Sequence, residues 1–157
     1  ESFNDSEIDY VINNAVIPYA KSIQPDLLII QAGADMLNGD PQSRISLSNN
    51  AYWGAIKNIL LLCENSIILG GGGYNPYLTA KAWAGNWVLL NNRDDLLDSD
   101  MPEECSNLLA SLQWNNSRVR MGIPNQWLKS WRDHNIKTIV GAEVISLVKN
   151  VLSMKNL

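Results

Sequence analysis

Two short apolar segments, each running into an unusual loop, constrain this chain more than anything else in it. Leu27-Leu28-Ile29-Ile30-Gln31-Ala32 is followed by Gly33-Ala34-Asp35-Met36-Leu37-Asn38-Gly39-Asp40. Ser66-Ile67-Ile68-Leu69 is followed by Gly70-Gly71-Gly72-Gly73-Tyr74. A helical pattern over residues 47–63 lies between them, with Ala51, Ala55, Ile56, Ile59, Leu60 and Cys63 recurring on one face and Ser48 placed to cap it. The order strand, crossover helix, strand predicts a parallel pair, because parallel strands need a long connection. Their C-terminal ends then share one sheet edge, the edge at which open α/β sheets bind ligands. Asp35 and Tyr74 are thereby predicted to face one crevice despite their separation in sequence. The near-continuous apolar run 27–32 fits a strand covered on both faces.

The rest of the chain arranges around this unit. Residues 6–23 read as a helix with Asp5 and Ser6 at its start and an apolar stripe of Ile8, Val11, Ile12, Ala15, Val16 and Tyr19. Pro18 is predicted to kink or split it, since proline lacks the N–H of the helical ladder. Asn75 and Pro76 have the pattern of an N-cap followed by proline at the first helical position, opening a helix over 76–91. Residues 91–104 read as an acidic, solvated connection. Further helices are predicted at 103–112, 125–133 and 138–152. The six tryptophans are expected to be packing anchors and His134 a surface residue.

Composition excludes several functional classes. A chain of 157 residues supports one domain with its own core. A net charge of −4 argues against a nucleic-acid partner bound through phosphate contacts. No apolar run approaches the ~20 residues that span a bilayer, so no membrane partner is expected. Residues 1–10 carry four acidic side chains and no basic one, unlike a signal peptide. The two cysteines, Cys63 and Cys105, with no CxxC, suit a reducing compartment. A cytoplasmic location is expected, or a nuclear one in a eukaryote. With His134 the only histidine, a mechanism requiring two histidines cannot be complete within these residues.

The two loops carry the candidate chemistry. Asp35 stands three residues past a strand, where it is either a turn carboxylate or a metal ligand on a rigid strand end. Asp40, in the Asn38-Gly39-Asp40-Pro41 turn, reads as a structural hydrogen-bonding group. Four consecutive glycines carry a heavy backbone-entropy cost, which makes sense where the chain must approach a ligand closely. The loop lacks the lysine and hydroxyl of a P-loop and does not match GxGxxG, leaving a nucleotide site as the weaker alternative. Tyr74 either packs, or aims into the crevice a phenol that is protonated at neutral pH and able to donate to an oxyanion.

These residues resemble the zinc-dependent histone deacetylase family. Gln31 to Asp40 is similar to its Q-x-G-A-D-x-x-x-G-D segment, Leu69-Gly70-Gly71-Gly72-Gly73-Tyr74 to its L-G-G-G-G-Y loop, and Ala80-Lys81-Ala82-Trp83 to its A-R-x-W. The four-glycine form resembles class I enzymes and the bacterial AcuC-like acetoin-utilisation branch. The resemblance implies an α/β fold of the arginase/deacetylase type, a mainly parallel β-sheet flanked by helices. It implies that Asp35 is one of two aspartate ligands of a catalytic Zn2+. Tyr74 would polarise the acetyl carbonyl and hold the tetrahedral oxyanion. Gly72 would line the acyl-lysine channel and accept the substrate amide at its carbonyl. Substrates would be acetylated lysine or an acetylated small amine. Gln31 and Asp40 are expected to be supporting structure.

The family's His-His dyad, Asp-x-His ligands and monovalent-cation sites have no counterpart here. The resemblance therefore implies a C-terminal segment of a deacetylase domain, with a strand-helix-strand core at about 26–90 and a helical tail at about 103–157. Such a segment would be inactive alone and partnered by the N-terminal part of the same domain. The second reading is a non-catalytic α/β binding or assembly module that self-associates through an exposed sheet surface.

Overall fold

The computed structural model describes residues 2–153. Helix α1 (Asp5–Val11) passes through a π-helical stretch (Ile12–Val16) into α2 (Ile17–Ile23). Pro18 falls in the first turn of α2, and the missing N–H is accommodated by the widened turns before it, which is the split predicted from sequence. The cap is Asn4 rather than Asp5 or Ser6. Its side chain accepts from the Ser6 N–H, while Glu7 Oε2 accepts from the Asn4 N–H, a reciprocal capping box. There follow β1 (Leu28–Gln31), α3 (Asn49–Leu60), β2 (Ser66–Leu69), α4 (Pro76–Leu90), α5 (Glu103–Ala110), α6 (Asn125–Leu128) and α7 (Ala142–Ser153).

The strands pair in parallel, from Leu28 opposite Ser66 to Gln31 opposite Leu69. Helix α3 is the crossover. Ser48 Oγ accepts from Ala51 N at its start, and Asn75 Oδ1 accepts from Tyr77 N at the start of α4, so both predicted caps form. Among the described residues no helix is long and apolar enough to cross a membrane.

One face of the sheet is packed and the other is open. Ile30 is buried and Ile68 packs against the core built by α3, α4 and the tail. On the opposite face Ile29 is 64% exposed, and Leu27, Ile67 and Leu69 are each about half exposed. Period-2 alternation makes this a single surface. The expectation of a strand covered on both faces is therefore corrected: the described residues supply helices to one side only.

Helices α3 and α4 meet where the Trp53 ring lies across Gly85, in space that any larger residue at 85 would need. The Trp53 indole donates to the Ala82 carbonyl at 3.1 Å. Trp127 stacks on Tyr77 with ring centroids 5.7 Å apart, and Trp114 meets Tyr77 edge-on. Trp87 departs from the anchor expectation, its side chain standing out from α4 at 70% exposure.

The tail departs most from its sequence pattern. Residues 94–98 form a 3₁₀ turn that tucks Leu97 into the core, so the 91–104 connection is not simply solvated. The helix expected over 125–133 stops at Leu128. Beyond it Asn49 claims the backbone, donating to the Trp131 carbonyl and accepting from Asp133 N. The last helix starts at Ala142, because residues 136–141 form a strap bonded to α1. Ile136 N donates to Asp5 Oδ2, and Gly141 N to Glu7 Oε1. Residues 154–157, the end of the predicted helical tail, lie outside the described residues.

Two glycines in adjacent helices should respond oppositely to alanine. Gly85→Ala is expected to lose about 1–3 kcal/mol through overpacking against Trp53. Gly54→Ala, with open space at the added methyl, should gain up to ~1 kcal/mol from helix propensity. Urea unfolding of the two variants measures both signs.

Candidate functional site

The pairing of β1 and β2 continues past their ends and laces the two loops together. Ala32 N donates to the Leu69 carbonyl at 2.9 Å and Ala34 N to the Gly72 carbonyl at 2.7 Å. Tyr74 N donates to Asp40 Oδ2 at 2.7 Å, and Asn75 Nδ2 to the Gly39 carbonyl at 3.1 Å. The predicted juxtaposition follows: Asp35 and Tyr74 stand on adjacent parallel segments at one end of the sheet.

Asp35 is held by close backbone approach. Its carboxylate lies against Gly72, where a Cβ would collide with it, and a Cβ on Gly33 would come within 2.7 Å of its Oδ1. A Cβ on Gly71 would meet Gly33 Cα at 2.8 Å. Residues without side chains are therefore required on both loops, a physical account of part of the glycine run. The Gly72 carbonyl, the predicted acceptor for substrate amide, uses one lone pair on Ala34 N–H and keeps the other. The Tyr74 side chain is 52% exposed at the loop tip.

The supporting residues are partly new. Asp40 is buried and spends its two carboxylate oxygens on Gln42 N and Tyr74 N, fitting the structural role expected of it. Gln31 instead lies exposed on the open face. Tyr52 on α3 donates its hydroxyl to the Ala32 carbonyl at 3.0 Å and accepts from Asn86 on α4 at 3.0 Å. Burial pushes the Tyr52 phenol above its ordinary range. The Asn86 bond opposes that rise, and the negative charge of Asp35 adds to it. Tyr52 and Asn86 thus brace the strand end that carries Asp35. The signal for Asn86 was a lone amide in the apolar stretch 82–90; nothing comparable marked Tyr52.

Two chemistries can be tested on this geometry. Among the described residues no three histidine, cysteine, aspartate or glutamate side chains gather at one point. Asp35 is a single donor, and zinc takes three or four protein ligands. The described residues do not by themselves make a zinc centre. At the start of α4 the Tyr77 and Leu78 amides are already taken by Asn75 Oδ1, so that helix end does not offer them to a phosphate.

Residues 1–90 match the histone deacetylase domain. Over 82 residues the chain is 30% identical to histone deacetylase 8 of Xenopus laevis, covering 52% of this chain and 25% of that protein. Over 79 residues it is 32% identical to histone deacetylase RPD3 of Saccharomyces cerevisiae, covering 50% of this chain and 18% of that one. A solved histone deacetylase homologue from Aquifex aeolicus superposes with a TM-score of 0.83 at 25% identity, covering 96% of this chain and 40% of its own. A homologue complexed with SAHA gives a TM-score of 0.85. The chain belongs to the histone deacetylase family, and its fold is that of the arginase/deacetylase class. It spans a quarter or less of the two curated relatives.

Asp40→Asn keeps the shape of the side chain but puts amide hydrogens where an acceptor is needed. Hydrogen exchange at the Tyr74 amide should accelerate about 10- to 100-fold, the equivalent of one bond to a charged acceptor.

Proposed function

We propose that this chain is the C-terminal portion of a zinc-dependent amidohydrolase that removes acetyl groups from acetyl-lysine or a related acetylated amine. One observation carries the reading: the lacing of the two loops puts a carboxylate against Gly72 and a phenol-bearing tip beside it, at the ligand-binding edge of a parallel pair. The resemblance to a homologue complexed with SAHA supports binding of an acetyl-lysine-like ligand by the whole domain.

Each residue then has a task. Asp35 contributes one carboxylate ligand, held by the glycines that crowd it. Zinc, when bound in the whole domain, supplies Lewis acidity toward the acetyl carbonyl. Tyr74 donates its phenolic hydrogen to the oxygen that becomes negative as the carbonyl is attacked. Its backbone N–H is fixed by Asp40, so the loop tip starts from a defined position. Gly72 accepts from the substrate amide with its remaining lone pair. The other zinc ligands and the general base belong to the N-terminal part of the same domain. The four-glycine loop supports a parent enzyme of class I or of the AcuC-like branch.

Tyr74→Phe in the full-length protein should lower turnover about 10²- to 10³-fold, the effect of losing one oxyanion donor, with zinc content unchanged. Wild-type turnover by that variant would remove Tyr74 from the mechanism. Residues 1–157 alone should not deacetylate an acetyl-lysine peptide; sustained turnover by them would refute the shared-domain reading.

A second reading, a non-catalytic assembly module, draws on the open face of Leu27, Ile29, Ile67 and Leu69. Under it the isolated chain self-associates, and sedimentation velocity should find concentration-dependent oligomers. A monomer at all concentrations counts against it.

A further inference from the structure

Residues within 38–46, together with Ser2 and Arg118, line an open polar cavity of about 430 Å³. Arg44 and Arg118 both line it, with Asn38, Ser43 and Ser46 contributing further polar groups. Its one acidic member, Asp40, has both carboxylate oxygens engaged by backbone N–H groups. Arg118 reaches in from far along the chain and gives one guanidinium N–H to the Asp40 carbonyl at 2.8 Å, which leaves its other donors uncommitted. Ser43 Oγ accepts from Ile45 N, so its own hydrogen is available to an acceptor.

The charge balance is what makes this cavity unusual in an acidic chain. Arg93 and Arg132 are each paired with an aspartate, Asp95 and Asp98. Among the described residues neither Arg44 nor Arg118 has a carboxylate partner. Two guanidinium groups on one concave surface, with a single carboxylate beside them, leave an excess of positive charge there. Planar, multiply donating arginine heads flanked by hydroxyls match the geometry of an oxyanion.

We propose that this cavity is an oxyanion-binding site, taking the phosphate or carboxylate group of a small polar molecule between Arg44 and Arg118. It is distinct from the crevice of Asp35 and Tyr74 and needs no metal. Asp40 lies between the two, its carbonyl held by Arg118 and its carboxylate holding Tyr74 N.

Titration of the ¹⁵N-labelled chain with sodium phosphate, and separately with sodium succinate, tests this at matched ionic strength against sodium chloride. Saturable shifts at residues 38–46 and at the side chain of Arg118 are expected with at least one of the two anions. Phosphate alone would mark a tetrahedral ligand, and succinate alone a carboxylate. Arg44→Gln, at an exposed position, should leave the melting temperature unchanged and weaken binding by about tenfold or more, the loss of one charge-assisted contact. Arg118→Lys, which keeps the charge, should bind more tightly than Arg118→Gln. Shifts equal to those in chloride, or an unchanged affinity in Arg44→Gln, would overturn the proposal. Because none of these readouts uses zinc or turnover, they stand apart from the deacetylase reading.

Discussion

The structure depends on a parallel pairing that does not stop where the strands do. Two four-residue strands are a small unit, and the described residues cover only one of their faces. What ties the pair together at the C-terminal ends of its strands is its continuation through Ala32, Ala34, Asp40 and Asn75, where backbone bonds give way to side-chain bonds as the loops diverge. Each of these bonds is modest in net free energy. Together they tie one loop to the other, so that neither Asp35 nor Tyr74 shifts without its neighbour.

The same device recurs in the buried polar groups. Asp5 accepts from Ser48 N, Ser48 Oγ and Ile136 N, joining α1, the start of α3 and the tail. Lys81, 1% exposed, meets Asp133 and the Gln126 carbonyl, joining α4 to the tail. A buried ion pair contributes little net stability, because desolvation offsets attraction, but removing one partner is costly. These groups act as registers. They fix which stretch of an irregular tail lies against which helix, where apolar contact alone would tolerate sliding.

The open face has a thermodynamic meaning. Ile29 and Ile67 oppose one another in register, and with Leu27 and Leu69 they make one apolar surface on two adjacent strands. Water contact with such a surface is unfavourable, roughly 25 cal/mol for each Å² that burial would remove. The solved homologue that superposes over 96% of this chain extends well beyond it, this chain covering 40% of its length. The chain is thus a folded unit with one apolar sheet face that its described helices leave uncovered.

Much of this was legible in the sequence because it rests on local rules. Alternating or continuous apolar runs, a serine and an asparagine at helix starts, proline within a helix and glycines after a strand each have a short-range physical cause. They gave the strand-helix-strand order, the Ser48 and Asn75 caps, the split at Pro18 and the shared edge of Asp35 and Tyr74. The tail was misread because its backbone is bonded at long range: Asn49 stops a helix more than 70 residues away, and Asp5 and Glu7 hold the strap that delays α7. The bracing of Asp35 by Tyr52 and Asn86, and the meeting of Arg44 with Arg118, likewise join residues with no spacing in common. Sequence alone determined the strand-helix-strand order and which two loops lie side by side, since propensity and capping act within a few residues. Only the tertiary structure decided what supports those loops and which sheet face is left bare, because burial and charge compensation depend on what packs from elsewhere in the chain.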